Sequence, residues 1–298
     1  MRIREARPDD AAAVVALRAI VHPYLVRGVE STRKMLTDPP PNEGWIALVA
    51  EVDGQVIGWT SAEPNTSTSV PGFGDVNTLH VHPGHRRRGI GTALLTAATD
   101  HLRPLGVHRV RTMATAGSLP FASRHGFTPS REVRYSALDL TPPPALPEPP
   151  AGVRLRPIAE MDPHLLYAAD VASAVDEPGD VPVDAVTFES WRYDVWDNLG
   201  LDKTASTAAE VNGDVAAFSL VKRDGDRMWS DYTCSVPAYR GRGLARLAKT
   251  AALHRAAEAG VRIAYTSNDE SNAPMLAINA RLGYRPVTTL WACLADLT

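Results

Sequence analysis

The chain has 298 residues, room for about two domains, and 44% of them are apolar, enough to build cores. A formal net charge of −3 excludes a general attraction to nucleic acid or to a membrane surface, so any basic cluster has to be read locally. The two cysteines, Cys234 and Cys293, are far apart, which excludes a disulfide framework and fits a reducing compartment.

At the N-terminus, MRIREARPDD lacks the apolar run of a secretory signal, and no later stretch reaches the ~18 apolar residues of a membrane span. The expectation is a cytoplasmic protein. Residues 3 to 6 read as a short strand, and Asp9 or Asp10 caps the Ala-rich helix that follows. WIALVAEVDGQVIGWTSA reads as a hairpin turning on Asp53-Gly54, a pair suited to positive φ. A third strand, VNTLHV, then runs into a basic, Gly-rich turn and a long helix, HPGHRRRGIGTALLTAATDHL. Another β-like run and the pair Gly126-Phe127 close the half.

The segment TPPPALPEPP, residues 141 to 150, resists helix and sheet and reads as a semi-rigid linker. After it the same signals return in the same order. VRLRPIAEMDPHLLYAADVA is again strand, acidic residues and helix; STAAEVNGDVAAFSLV turns on Asn212-Gly213; YTCSVPAYRGRGLARLAKTAALHRAAEAG is again strand, basic turn and helix. Arg240 follows Arg86 by 154 residues, Gly243 follows Gly89 by the same 154, and Gly283-Tyr284 follows Gly126-Phe127 by 157. The chain is therefore a tandem repeat. The expected domains are 1–140 and 153–298, joined by a Pro-rich linker at 141–152.

Each basic turn, Arg86-x-x-Gly89-x-Gly91 and Arg240-x-x-Gly243-x-Ala245, follows a strand and opens a helix. A helix N-terminus carries unpaired N–H groups and partial positive charge, which favours a phosphate there. Glycine or alanine keeps Cβ bulk away so that backbone can approach the anion. The flanking arginines add charge and donors. Neither turn is a P-loop, which needs GxxxxGK[ST], nor a GxGxxG Rossmann turn.

Arg/Gln-x-x-Gly-x-Gly/Ala after a strand resembles the signature of the GCN5-related N-acetyltransferases (GNAT), and the resemblance covers both halves. TSNDESNAPMLAINARLGYRP is similar to that family's second conserved block. The tandem arrangement resembles the double-domain acetyltransferases of actinobacteria. The resemblance implies an α+β fold in each half, a mixed, mostly antiparallel sheet with flanking helices, splayed beside the turn. Acetyl-CoA is the implied cofactor, lying in that split. Its pantetheine arm would pair with backbone near Leu79 and Val81, or Cys234 and Val236. Its pyrophosphate would be held by Arg86, Arg87, Arg88, Gly89, Ile90, Gly91, Thr92 and Ala93. The second half's counterparts are Arg240, Gly241, Arg242, Gly243, Leu244, Ala245 and Arg246. Asn268, Asn272 and Asn279 would bond cofactor amides, or else Asn268 and Asn272 serve as helix caps and turn residues.

The implied chemistry is direct attack of an amine on the thioester, with a carboxylate taking the amine's proton. Counting back from Val81 and Val236 along the strand, the family's base position falls on Asp75 and on Ser230, with Asp231 beside it. Asp75 reads equally as a turn residue after Gly72–Gly74. The family's acid, a Tyr four residues before the Gly-aromatic pair, is replaced by Ala122 and Asn279; Tyr284 is near in sequence, at a position that is ordinarily a packing aromatic. The segment 176–202 holds Trp191, Tyr193 and Trp196 among acids, either as a wall for a cationic amine or as aromatics packed under a loop. Its counterpart, ending TDPPPNEG, is plainer. This asymmetry and the fuller Asn block favour the C-terminal half as the catalytic one. His80, His82 and His85 lack the further ligands of a metal site, so no metal is expected. The implied activity is acetyl transfer to a small-molecule amine, the alternatives being protein acetylation or non-catalytic acyl-CoA binding. The expected partners are the acceptor amine, with neither nucleic acid nor membrane, and the chain itself as monomer or homodimer.

Overall fold

The computed structural model describes residues 1–41 and 44–297; Asn42 and Glu43 of the TDPPPNEG segment lie outside them. The chain separates into two compact units, Met1–Val133 with Thr289–Thr298 (unit 1) and Arg134–Thr288 (unit 2). Each is an α+β unit with a mostly antiparallel sheet, as expected.

In unit 1, β1 (Arg2–Glu5), β2 (Ile46–Val52), β3 (Gln55–Pro64) and β4 (Phe73–Val81) are antiparallel neighbours in that order, and β5 (Arg109–Thr115) joins β4 in parallel. Its helices are α1 (Ala11–Val21), α2 (Val29–Thr37), α3 (Ile90–Leu102) and α4 (Leu119–Arg124). β6 (Thr128–Asp139) follows. Unit 2 repeats the plan. Strands β7 (Val153–Pro157), β8 (Thr207–Val211), β9 (Asp214–Asp224) and β10 (Arg227–Ser235) are antiparallel, and β11 (Ile263–Asp269) joins β10 in parallel. Its helices are α5 (Pro163–Ala174), α6 (Phe188–Trp191), α7 (Leu244–Glu258) and α8 (Ala273–Leu282).

The border between units differs from the expected linker at 141–152. It runs inside β6 and inside the last strand, β12 (Arg285–Asp296). The end of β12 pairs antiparallel with β5, Leu290 opposite Thr115 and Asp296 opposite Arg109, and so belongs to unit 1. Residues 134–139 of β6 belong to unit 2, where Leu140 N–H extends the pairing to the Arg262 carbonyl at 2.8 Å. The closing strands are exchanged because an open strand edge is satisfied by whichever strand reaches it with matching donors and acceptors, whatever its place in the chain.

Alternation along β3 sends neighbouring side chains to opposite faces. Trp59 faces α1, buried under Val14 and Leu17. Gly58 faces α3, where a Cβ would come within 2.9 Å of Leu94. Helix α3 lays Ile90, Leu94, Ala98 and Leu102 on Val76 and Val110, one stripe at helical spacing. In unit 2, α7 covers Ala216 and Ala217 with Leu244, Leu247 and Ala248, and α5 packs Leu166 on Phe218.

Helix α7 also buries a charge. Lys249 is 1% exposed, with its Nζ 5.0 Å from the centre of the Tyr284 ring. Burial pulls its ammonium down to about 7 from the usual 10.5. The unfolded chain thus holds a proton between those values that the folded chain has released, so stability rises with pH across that range. Lys249→Met is expected to stabilise the protein at pH 7 by on the order of 1–3 kcal/mol. The gain should shrink as pH approaches 10, which denaturant titrations at several pH values would read.

Candidate functional site

In both units the sheet forks. β4 and β5 are paired only where Phe73–Asp75 meet Arg109–Arg111, and β10 and β11 only where Arg227–Trp229 meet Ile263–Tyr265. At each fork a threonine hydroxyl takes the first released carbonyl: Thr112 Oγ1 donates to Val76 O at 2.8 Å and Thr266 Oγ1 to Ser230 O at 3.1 Å. Beyond these points the strands part, leaving one backbone edge of Leu79–Val81 and of Cys234–Val236 without a strand partner. Both strands carry a bulge there, opposite Thr60 in β3 and Leu220 in β9. Thr78 takes φ +49° at the first, and its hydroxyl accepts the Trp59 Nε1–H at 2.8 Å.

The basic turns sit at the open ends of the forks and have the same conformation. Arg87 and Gly241 have φ of +62° and +74°, and Gly89 and Gly243 have +78° and +74°. The first ladder bond of α3 runs from Ala93 N–H to Gly89 O at 2.9 Å, and that of α7 from Leu247 N–H to Gly243 O at 3.1 Å. The N–H groups of Ile90, Gly91 and Thr92, and of Leu244, Ala245 and Arg246, therefore precede each ladder and are free of it. Nothing lies within 4 Å of a Cβ built on Gly89 or Gly243, and Arg86–Gly89 and Gly241–Gly243 are exposed. This is an open cradle of backbone donors at a helix N-terminus with arginines beside it, an arrangement that suits an anion.

Individual residues divide between the cradle and its support. Arg86 Nε donates to Val81 O at 3.2 Å and Arg240 Nε to Ser235 O at 3.3 Å, so the leading arginines brace the turn on its own strand. Arg240 also pairs with Asp176. Gly91 packs on Phe121, where a Cβ would meet the ring at 3.3 Å, so its smallness serves the helix packing. Thr92 shares a hydrogen bond with His125 at 3.1 Å. Asn272 caps α8 by accepting the Met275 N–H at 3.2 Å, the capping reading. Asn279 Nδ2 donates to Asn268 Oδ1 at 2.5 Å, and Asn279 Oδ1 is buried without a partner.

The carboxylates singled out along the strands are engaged. Asp75 accepts from Arg111 Nε at 2.8 Å and Asn65 Nδ2 at 3.0 Å; Asp231 pairs with Lys222 at 2.8 Å. Ser230 is buried beside Tyr284, neither hydroxyl closing a well-formed hydrogen bond. Burial raises the Tyr284 phenol, keeping it protonated. The three histidines separate. His80 is buried, whereas the ring of His82 accepts the Gly84 N–H at 3.2 Å and lies 5.7 Å from that of His85. Among the described residues no group of His, Cys, Asp or Glu is arranged to hold a metal ion.

Unit 2 has a further carboxylate that the sequence reading passed over. Asp170 lies on α5, a helix that packs against β10, one helical turn after the buried Leu166, and is half-buried. Burial pushes it up to about 6, against the Trp191 Nε1–H donated to its Oδ2 at 2.6 Å; Glu177 and Asp231 raise it further. Its charge is felt by Tyr232 and Cys234 of β10, the strand whose edge opens into the fork. The rings of Tyr167, Phe188, Trp191 and Trp196 stand 5.3 to 6.3 Å apart along this wall. Burial also pushes the Cys234 thiol up to about 12, which keeps it from serving as a thiolate at neutral pH. The one signal for Asp170 in the sequence is a lone charge in an otherwise apolar helical stripe.

The comparisons agree with this geometry. The model of the acetyltransferase (GNAT) family matches residues 15–127 and again 174–284. A mycothiol acetyltransferase of Amycolatopsis mediterranei is 30% identical over 264 residues, covering 83% of each chain. One from Thermobispora bispora is 28% identical over 297 residues, covering 95% of each. A tandem GNAT protein from the clavulanic acid biosynthesis pathway superposes with a TM-score of 0.77 at 22% identity, over 99% of this chain and 98% of that one. A GCN5-related N-acetyltransferase from Sphaerobacter thermophilus gives 0.73 at 21% identity, over 99% and 95%. With its forked sheets, paired basic turns and two family matches in one chain, the protein belongs to the GNAT family of acetyltransferases, whose domain it carries twice.

Proposed function

We propose that the chain transfers an acetyl group from acetyl-CoA to a primary amine of a small, cationic molecule, with unit 2 as the catalytic unit. The observation that carries this reading is Asp170, a half-buried carboxylate raised to about 6 on the helix that packs against the strand bordering the fork. The open cradles and forks fit acyl-CoA in both units. In unit 2 the N–H groups of Leu244, Ala245 and Arg246 would hold the pyrophosphate, and backbone at Cys234 and Val236 would face the pantetheine arm. When bound, acetyl-CoA supplies an acyl group activated as a thioester.

The protein's own part is to orient the amine and take its proton. An amine arrives as an ammonium ion and must lose a proton before it can attack. Asp170 attracts the ammonium, and Trp191 fixes one carboxylate oxygen so that the other accepts the proton. Glu177 and Asp231 strengthen the field that favours a cation, and the ring wall excludes water beside it. Asp75, Asp231, Ser230 and Tyr284 are the other catalytic candidates. The ion pairs of the two aspartates favour Asp170 over them, since an engaged carboxylate has to break a contact to receive a proton. The relatives named mycothiol acetyltransferase support acetyl transfer as the chemistry.

The test is release of free thiol from acetyl-CoA in the presence of diamines, amino sugars, amino-acid amides and N-terminal peptides. Turnover with cationic small amines is expected. Binding of CoA without turnover on any amine would favour a sensing role, a reading that Ala122 and Asn279 at the family's acid position keep open.

A further inference from the structure

The corresponding position in unit 1 carries the opposite chemistry. Arg18 stands on α1 where Asp170 stands on α5. Each lies 14 residues after the arginine of a matched first-strand ion pair, Arg4 with Glu51 and Arg156 with Glu210. His80 stands where Cys234 stands, because Trp59 faces His80 across β3 and β4 as Phe218 faces Cys234 across β9 and β10. A half-buried acid near a thiol in one unit is thus a buried guanidinium near an imidazole in the other.

Arg18 is 2% exposed, its Nε has no hydrogen bond, and its Nη1 reaches only the Arg27 carbonyl, at 3.4 Å. Among the described residues no carboxylate pairs with it. His80 is 6% exposed with its Nδ1 buried and unpartnered. The ring of His22, which caps α1, lies 6.2 Å from that of His80. The charged groups that shift Arg18 and His80 are Arg27 for the first and His22, Arg18 and Arg86 for the second, all cations. A guanidinium taken out of water without a counter-charge is strongly unfavourable. An arrangement of this kind is expected where the counter-charge arrives with a ligand.

We propose that Arg18, His22 and His80 form a carboxylate-binding pocket in unit 1, between the end of α1 and the second half of β4. The charge count selects the ligand. Burial pulls His80 down to about 3 and lowers His22, leaving both imidazoles neutral, with the unpartnered Nδ1 side of His80 open to a ligand. Arg18, pulled down to about 9 mainly by burial, keeps its charge at neutral pH. One positive charge with planar donors matches a singly charged carboxylate better than a phosphate dianion. The half-buried His22 and Tyr24 form the rim. His80 lies between Leu79 and Val81, whose backbone edge opens into the fork, so the carboxylate belongs to a molecule reaching that fork. Two sources share this chemistry: a free amino-acid-like molecule, or the acyl chain of a dicarboxylic acyl-CoA. The pocket holds whichever unit performs acetyl transfer.

The test uses the full chain and its variants Arg18→Met and Arg18→Lys. Calorimetry with millimolar sodium glutamate and sodium propionate, against chloride at equal ionic strength, probes the free source. Succinyl-CoA against acetyl-CoA probes the acyl source. Wild type is expected to bind one of these sets, with affinity falling at least about tenfold in Arg18→Met and partly recovering in Arg18→Lys. Without carboxylate, Arg18→Met should unfold at the same temperature as wild type or higher, because the unpaired buried charge is gone. Response to the free acids alone identifies the first source; preference for succinyl-CoA alone identifies the second. Wild type binding neither set, or Arg18→Met binding them undiminished, would overturn the proposal. So would Arg18→Met unfolding well below wild type in chloride alone, since Arg18 would then be a structural residue.

Discussion

Asp170→Asn is expected to lower kcat/KM for acetyl transfer by about 10²–10³-fold, the usual contribution of a placed general base, while leaving CoA binding intact. The substitution keeps the acceptor oxygen that Trp191 Nε1 bonds at 2.6 Å and removes only the group that receives the proton. Wild-type kcat/KM should rise with pH through about 6, where Asp170 loses its own proton, and that limb should be absent from the variant. Stability should move the other way. Burial raises the carboxyl to about 6 from the usual 3.8, so between those values the folded chain holds a proton that the unfolded chain has lost. Stability therefore falls as pH rises through this window, and above it wild type has lost about 2–3 kcal/mol that the asparagine never loses. A variant that is inactive yet more stable at pH 7 cannot be explained by misfolding. Full activity in Asp170→Asn would return the base role to Asp75 or Asp231.

How much of this was legible beforehand depends on whether a feature repeats. The turns were readable because Arg86, Gly89, Arg240 and Gly243 recur at one spacing between strand and helix, and the structure gives the two turns matching dihedral angles. The hairpins at Asp53-Gly54 and Asn212-Gly213 were readable because their chemistry is local: both Asp53 and Asn212 take positive φ. The exchange of β6 and β12 was not readable. Nothing in the local sequence of either strand, TPSREVRYSALD or RPVTTLWACLAD, says which open edge it meets; that is decided by tertiary geometry. The two helix charges behind the strands were missed for a different reason. Arg18 and Asp170 are single charges in Ala-rich helices, at the phase of Val14 and Leu166, and a lone charge there is also what a solvated helix face shows. Their correspondence emerges only when the strand registers pair Trp59 with His80 and Phe218 with Cys234. What the repeat conceals is therefore what differs between its copies, and a fold shared by both copies does not fix what either one acts on.

Gly243→Glu is expected to weaken CoA binding to unit 2 by about 100-fold or more, and Gly89→Glu to do the same in unit 1. Two effects act together. The left-handed backbone at φ +74° and +78° costs a residue with a Cβ about 1–2 kcal/mol. The new carboxylate also sits at the mouth of the donor cradle, where it fills the helix N-terminus and repels a pyrophosphate. The space around each glycine is open, with nothing within 4 Å of a built Cβ, so the substitution does not break the packing of α3 or α7. Gly243→Asn separates the two effects, since asparagine tolerates this backbone and carries no charge; it should keep binding within about tenfold of wild type. Calorimetry should count two CoA sites in wild type and one in each glutamate variant. If unit 2 is the catalyst, turnover follows Gly243 alone. An unchanged count of two in both glutamate variants would remove the turns from the cofactor site altogether, leaving the forks to bind by their strand edges.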